Sequence, residues 1–398
     1  MGWRRDIGAG AVSVTAAAGF RAAGVVAGLK ASGRADVALV VNDGPQDGAA
    51  GVFTSNRVHA APVTWSRQVV ADGRLRAVVL NSGGANACTG PRGFADTHRT
   101  AEHTAAAVGC DAGDVAVCST GLIGTYLPMD LLLAGVAAAA AGLDEQGGAA
   151  AAAAICTTDT VRKEAVCTLP TPAGSVTVGA MAKGAGMLAP ELATMLCVVT
   201  TDAASDAATL DRVLRAATAQ TLDRVDSDSC LSTNDTVLLL ASGASGSSPA
   251  ESELLAAVTE VLDDIGRQLI ADAEGASKEV LVEVSHAATE ADAVLVARAV
   301  ARSNLLKCAL HGEDPNWGRV LSSIGTTDAV FDPLTIDVAI NGVVVCRDSA
   351  PGDDRSGVDM SGRAITIGID LKAGDARGWV RTNDLTAAYV HENSAYST

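Results

Sequence analysis

The sequence predicts a mixed α/β protein, and three features carry that expectation. Short apolar runs rich in valine and leucine recur along the chain, at residues 35–41, 77–80, 115–118 and 237–240. Runs of this length bounded by turn residues read as buried strands. Longer Ala-rich or amphipathic stretches separate them, at 130–155, 205–221 and 250–271, and have helical length. Of 398 residues, 48% are hydrophobic and only 3% aromatic, so a large core must be built from Ala, Val and Leu. The length allows two to three domains.

In chain order, residues 12–70 read as short strands and turns, with 35–41 closed by Asn42-Asp43-Gly44-Pro45. The 51–56 and 60–63 segments are strand plus turn. Strand 77–80 runs into Asn81-Ser82-Gly83-Gly84-Ala85-Asn86-Ala87-Cys88-Thr89-Gly90, a loop of small polar residues that lets backbone N–H groups approach a ligand. A helix over 94–108 follows, and then strand 115–118 enters Ser119-Thr120-Gly121. Residues 130–155 are helical with a break at Gly147-Gly148, 161–177 is a hairpin, and 176–182 is a strand.

Strand 195–201 precedes the 205–221 helix, a polar loop at 226–236 and strand 237–240. A linker at 242–249 leads to the 250–271 helix, which Asp272–Lys278 joins to strand 279–284. Residues 330–368 read as short strands with turns at Asn341-Gly342 and Pro351–Asp354, and 384–398 as a mobile tail by default.

Charge and cysteine usage exclude several classes. The 29 Lys and Arg against 46 Asp and Glu leave a net charge of −17, which repels phosphate backbones and argues against nucleic acid. The nine cysteines contain no C-x-x-C pair and read as reduced, buried thiols of a cytoplasmic protein. Arg4-Arg5 is followed by Asp6, and Arg21 interrupts the apolar stretch, so no signal segment is expected. The apolar run 131–143 is shorter than the roughly 18 residues a membrane span needs. His311, Glu313 and Asp314 lack a second spaced ligand cluster, so no metal is expected there and 310–319 reads as a rigid loop.

Two stretches carry candidate chemistry. Lys183-Gly184-Ala185-Gly186 and Pro190 lead to Ala193-Thr194 and the apolar run after it. Such a bend could let the Thr194 hydroxyl attack the Ala193 carbonyl, and the freed α-amine, with a pKa of about 7.7–8.0, could then serve that hydroxyl as a base. The same spacing also describes a loop entering a buried strand. At Thr120-Gly121, a hydroxyl beside a glycine N–H at a strand end suits a developing oxyanion, and a plain turn would look the same.

The motif Lys183-Gly184-x-Gly186-Met187-x-x-Pro190-x-x-Ala193-Thr194-Met195-Leu196 resembles the self-cleavage motif of the ornithine acetyltransferase family. Further stretches match it along nearly the whole chain, although the family usually has Asn where Gly84 stands. The resemblance implies an αββα layered sandwich shared with DmpA-type aminopeptidases, with a smaller C-terminal α/β subdomain. It implies cleavage at Ala193-Thr194 into an α chain (1–193) and a β chain (194–398), assembling as two of each. Thr194 would be the nucleophile, Thr120 and Gly121 the oxyanion hole, and Thr157, Lys183, Thr194, Glu274, Asn393 and Thr398 the substrate contacts.

The implied reaction moves acetyl from N2-acetylornithine to glutamate in arginine biosynthesis, with no cofactor or metal and with acetyl-CoA open as a second donor. Hydrolysis by an aminopeptidase or amidase of the DmpA type, and an uncleaved binding protein, are the alternatives.

Overall fold

The computed structural model describes residues 13–172, 174–187 and 195–395. In chain order the first half contains Phe20–Val25 (β1), Val37–Asn42 (β2), Gly48–Phe53 (β3), Ala61–Val69 (α1) and Ala77–Asn81 (β4). It continues with Gly90–Val108 (α2), Val115–Ser119 (β5), Met129–Ala141 (α3), Gly148–Ile155 (α4), Lys163–Thr171 (β6) and Gly174–Lys183 (β7). The second half begins with Leu196–Thr201 (β8), Ala207–Gln220 (α5), Thr236–Ala241 (β9) and Glu251–Ala271 (α6). Its remainder comprises Glu279–Ala287 (β10), Glu290–Ala301 (α7), Asn304–His311 (α8), Trp317–Ile324 (α9), Asp337–Ile340 (β11) and Val343–Arg347 (β12). Ala350–Pro351 (β13), Ala364–Asp370 (β14), Ala376–Asn383 (β15) and Ala387–Ala395 (α10) complete it.

Two sheets stack face to face. One has the order β1-β2-β4-β5 and the other β3-β9-β8-β7-β6. Their inner faces interlock through Ala38, Val40, Val78, Leu80 and Cys118 against Met181, Leu196, Val198, Leu238 and Leu240. Strand side chains alternate between faces, so the neighbouring residues point outward. Val37, Leu39, Val79 and Val117 meet Ala101, Ala105, Leu132 and Val136 of α2 and α3. On the far side Val178, Cys197, Val199 and Leu239 meet Leu210, Val213, Val258 and Leu262 of α5 and α6. The order helix, sheet, sheet, helix is the expected αββα sandwich. Strands buried on both faces read as unbroken apolar runs, and all six residues of β8 are buried.

The C-terminal subdomain is a six-stranded sheet, β13-β12-β11-β14-β10-β15, covered by α7 and α9. It joins the sandwich where Asp226 N–H donates to the Arg381 carbonyl at 2.9 Å.

Several boundaries differ from expectation. Residues 61–69, expected as strand and turn, form α1, whose Pro62 occupies the first turn, where its missing N–H costs nothing. The 130–155 helix is two helices, with a break that begins earlier than expected, at 142, and ends at the Gly147-Gly148 pair. Ala22 and Asp144 bridge there, and a Cβ on Gly147 would lie 1.8 Å from the Ala22 carbonyl oxygen. Residues 310–319 are loop over 312–316, flanked by the end of α8 and the start of α9. Within the segment read by default as a mobile tail, Ala387–Ala395 form α10, and 396–398 lie outside the described residues. Of the nine cysteines, all free, Cys88, Cys230 and Cys308 are exposed, so those three depart from the buried reading. Among the described residues no helix is long and apolar enough to cross a membrane.

Candidate active site

One edge of the sandwich gathers the ends of β4, β5 and β7 with the starts of β8 and β9. Register puts Asn81 beside Ser119, Lys183 beside Leu196, and Leu196 beside Thr236. Asn234 closes the gap between the sheets. Its Nδ2 donates to the Ser119 carbonyl at 2.7 Å and the Ala85 carbonyl at 2.6 Å.

The Thr120–Gly121 turn is fixed from both sides. Thr120 N–H donates to the Asn81 carbonyl, and Gly84 N–H donates back to the Thr120 carbonyl, each at 3.0 Å. Thr120 is buried, whereas Gly121 is exposed. Gly121 has φ +129°, and a Cβ there would stand 2.8 Å from the Gly84 nitrogen. The turn therefore requires glycine on two independent grounds. Gly84 contributes only backbone here, consistent with the loss of the side chain the family usually carries.

Lys183, at the end of β7, is 2% exposed, and its Nζ lies 3.4 Å from Thr120 Oγ1. Burial pushes its pKa down, and the nearby Lys163 charge adds to this. Asp159 and, more weakly, Asp235 oppose it. Asp159 is the hub of the charged network. Its Oδ1 accepts from Lys163 Nζ at 2.6 Å and Gly184 N–H at 2.7 Å, and its Oδ2 from Thr157 N–H at 2.9 Å. Burial alone would push the carboxyl up, but the Lys183 and Lys163 charges and these hydrogen bonds hold it well below the usual range. Lys163, fully buried, also pairs with Asp272, which in turn accepts from Thr160 N–H at 3.0 Å. Direct bonds thus join Asp159, Lys163 and Asp272, and electrostatic attraction to Asp159 couples Lys183 and the Thr120 turn to them.

Asp272 opens the loop that carries Glu274. The Glu274 N–H donates to the Ala185 carbonyl at 2.9 Å, and its Oε2 accepts from Asn393 Nδ2 of α10 at 3.0 Å. Gly186 lies directly beneath this carboxylate: a Cβ there would be 2.5 Å from Oε2. The loop is held from behind by Asp384, whose Oδ1 accepts Ser277 and Lys278 N–H at 2.9 Å each and whose Oδ2 meets His311 Nδ1 at 3.1 Å. A cleft of about 630 Å³ opens beside it, lined by Thr160, Asp272, Glu274, Arg363, His391 and Asn393 among others. Its acidic wall suits a cationic amine.

Of the residues singled out from sequence, the structure brings Thr120 to Lys183 and brings Glu274 to Asn393. Thr157 N–H is held by Asp159, the carboxylate whose charge faces Lys183. Ala193, Thr194 and Thr398 lie outside the described residues. Asp159, Lys163 and Asp235 escaped notice because isolated charges in polar loops normally face solvent, and no spacing marks them. Asp235 is fully buried at the start of β9.

Fold and site together define an αββα sandwich protein with a polar centre where strand ends and loops of both sheets converge. The chain belongs to the ArgJ family, whose model matches residues 21–398. It is 65% identical over 387 residues to the arginine biosynthesis bifunctional protein ArgJ of Streptomyces coelicolor, covering 97% of this chain and 100% of that protein. The protein of the same description from Thermobifida fusca is 60% identical over 387 residues, again 97% and 100% of the two chains. An ornithine acetyltransferase from Mycobacterium tuberculosis, solved in complex with ornithine, is 62% identical over 45% of this chain and 95% of that one, with a TM-score of 0.43.

Proposed function

We propose that this chain is the acetyltransferase of arginine biosynthesis that moves the acetyl group of N2-acetylornithine to glutamate, after cutting itself between Ala193 and Thr194. The observation that carries the reading is the meeting of Thr120 with Lys183 at the sandwich edge where Met195 leads into β8, in a member of the ArgJ family.

In self-cleavage the Thr194 hydroxyl adds to the Ala193 carbonyl carbon. The C–O bond forms, the peptide C–N bond breaks, and the hydroxyl proton passes to the departing amine. Water then hydrolyses the ester, releasing the Ala193 carboxylate and restoring the hydroxyl beside a free α-amine.

In turnover that amine takes the hydroxyl proton as Oγ attacks the acetyl carbonyl. Thr120 Oγ1 and the Gly121 N–H stabilise the oxyanion. The amide C–N bond breaks, and ornithine leaves with the proton. The glutamate amine then attacks the acetyl ester, forming N-acetylglutamate and returning a proton to Oγ. Lys183 receives the substrate α-carboxylate, an anion that would favour its charged form in this buried place. Glu274, steadied by Asn393, receives the ornithine side-chain ammonium, and Thr157 and Thr398 complete the contacts.

The chemistry assigned to these residues uses no cofactor. The relatives are described as bifunctional, which supports a second reaction, and acetyl-CoA as acetyl donor to glutamate is the one we assign. The α chain (1–193) and β chain (194–398) stay associated, as two pairs, in the cytoplasm. The test is to supply N2-acetylornithine with and without glutamate and follow both products. Ornithine and N-acetylglutamate formed in equal amounts, with little ornithine when glutamate is omitted, support the reading. Ornithine and acetate released at the same rate in both cases would make the protein a hydrolase instead.

A further inference from the structure

The loop 226–236 holds two carboxylates that touch the cleavage segment at both of its described ends. Asp228 Oδ2 accepts the Met187 N–H at 2.7 Å. Asp235 Oδ1 accepts the Met195 N–H at 3.0 Å. Met187 has φ +54°, a left-handed backbone that costs a non-glycine residue roughly 1–2 kcal/mol, so it needs an external hold. Asp235 is fully buried, and its Oδ2 makes no hydrogen bond to a described residue, although the Ser232 and Thr54 hydroxyls stand beside the carboxyl.

The loop itself is rigidly tied. Asp226 binds Arg302 Nε at 2.6 Å, and Ser227 Oγ donates to Asn383 Oδ1 at 2.9 Å. The Leu231 carbonyl accepts from Asn56 at 2.9 Å, the Ser232 carbonyl from Thr54 Oγ1 at 2.7 Å, and the Thr233 carbonyl from Ala60 N–H at 2.8 Å. Anchored to both sheets and to the C-terminal subdomain, the loop can hold main-chain groups against the stress of a chain break.

We propose that Asp228 and Asp235 are positioning residues for self-cleavage, Asp228 fixing the chain before the cleaved bond through Met187 and Asp235 fixing the chain after it through Met195. The two differ once the bond is cut. Met187 then belongs to the departing end of the α chain. Met195 is the second residue of the β chain, and its N–H is the first main-chain donor after the nucleophile. New chain ends fray unless tied, so Asp235 keeps its task throughout turnover and Asp228 does not.

This inference rests on the self-cleavage reading, and the experiment separates the two. Full-length wild type, Asp228→Ala, Asp228→Asn, Asp235→Ala and Asp235→Asn are purified and their conversion to two fragments is timed. Turnover is expressed per active site, counted from the burst of ornithine released on acetylation, so that a misfolded fraction does not lower kcat. Both alanine variants should cleave at least thirtyfold more slowly than wild type. The asparagine variants keep an oxygen that accepts the same N–H and should recover cleavage to within tenfold of wild type.

Among cleaved molecules, Asp235→Ala should lose at least tenfold in kcat with a small change in KM, while Asp228→Ala stays within threefold in kcat. Should Asp235→Ala fail to fold, the Asp228 pair decides the cleavage claim, and Asp235→Val, similar in size but without an acceptor for the Met195 N–H, decides the turnover claim against Asp228→Ala with the same tenfold loss expected. A wild type that never cuts itself overturns the self-cleavage reading and this inference with it. A wild type that cuts, beside alanine variants that cut equally fast, overturns the inference alone. So do asparagine variants no faster than the alanine ones.

Discussion

Replacing Gly121 with alanine perturbs the oxyanion turn from within. The residue sits at φ +129°, which side chains rarely adopt, and the strain of holding an L residue in such a region is on the order of 1–3 kcal/mol. The added Cβ would lie 2.8 Å from the Gly84 nitrogen and 3.0 Å from its Cα. Carbon contacts settle at about 3.5–4 Å, so backbone must yield by roughly half an ångström or more. The Gly84 N–H to Thr120 bond at 3.0 Å and the Ala85 N–H to Leu122 bond at 2.9 Å flank the clash, so neither segment moves freely. The Gly121 N–H is displaced from an oxyanion that needs its donors at about 2.7–3.1 Å.

Loss of one such donor costs about 10²–10³ in kcat, or ~2.7–4 kcal/mol. Because the oxyanion exists only in the transition state, kcat should fall while KM changes little. Steady-state acetyl transfer from N2-acetylornithine to glutamate, normalised to cleaved chains, measures this, and a thermal melt should show a loss of about 2 kcal/mol from the strain. A Gly121→Ala enzyme with kcat within threefold of wild type would refute the assignment of this turn.

Three further outcomes follow from the site and its surroundings. Glu274→Gln removes the charge that faces the ornithine ammonium but keeps the Asn393 contact; KM for N2-acetylornithine should rise about tenfold or more, as expected for a charge-assisted hydrogen bond worth ~1.5–3 kcal/mol, with KM for glutamate far less affected. Asp159→Asn leaves Lys163 and Lys183 buried with less compensating charge and should destabilise the fold by about 3–5 kcal/mol in denaturant unfolding. Because Asp159 is depressed in the folded state, its contribution is complete above its unfolded value near 3.9 and is lost as pH falls below that; the wild type should lose stability there more steeply than the variant. Finally, Cys118 and Cys197, buried and pushed up to about 12, should resist a thiol reagent at pH 8 until the protein unfolds, while exposed Cys88 and Cys308 react in the native state.

The sandwich was legible in the sequence because its strands are buried on both faces. Residues 196–199 and 237–241 read as unbroken apolar runs, and α6 carries Leu254, Val258, Val261, Leu262, Ile265 and Leu269 at helical spacing. The 61–69 helix was missed because Pro62, Val63 and Thr64 have strand or turn preferences locally, and the contacts that decide the matter, such as Ser66 Oγ donating to the Val117 carbonyl at 2.7 Å, are remote in sequence. Helices α7 to α9 were not foreseen for a related reason: short amphipathic segments with mixed polar residues resemble loops until they have a sheet to cover.

The site divides along the same line. Thr120, Gly121, Lys183, Glu274 and Asn393 could be named because the family resemblance carried them, and the structure sets Thr120 against Lys183 and Glu274 against Asn393. The residues that connect them could not. Asp159 and Lys163 are separated by four positions in an irregular segment, and Asp272 lies 109 residues from Lys163. Only the packing of the 156–163 segment against the end of α6 makes them one network.

The most direct test of the account is the intact mass of the purified protein after incubation with N2-acetylornithine and no acceptor. Self-cleavage with Thr194 as the nucleophile gives two fragments, with a single acetyl group on the one that begins at Thr194. A single uncut chain, or two fragments with the acetyl group on the piece that ends at Ala193, would contradict it.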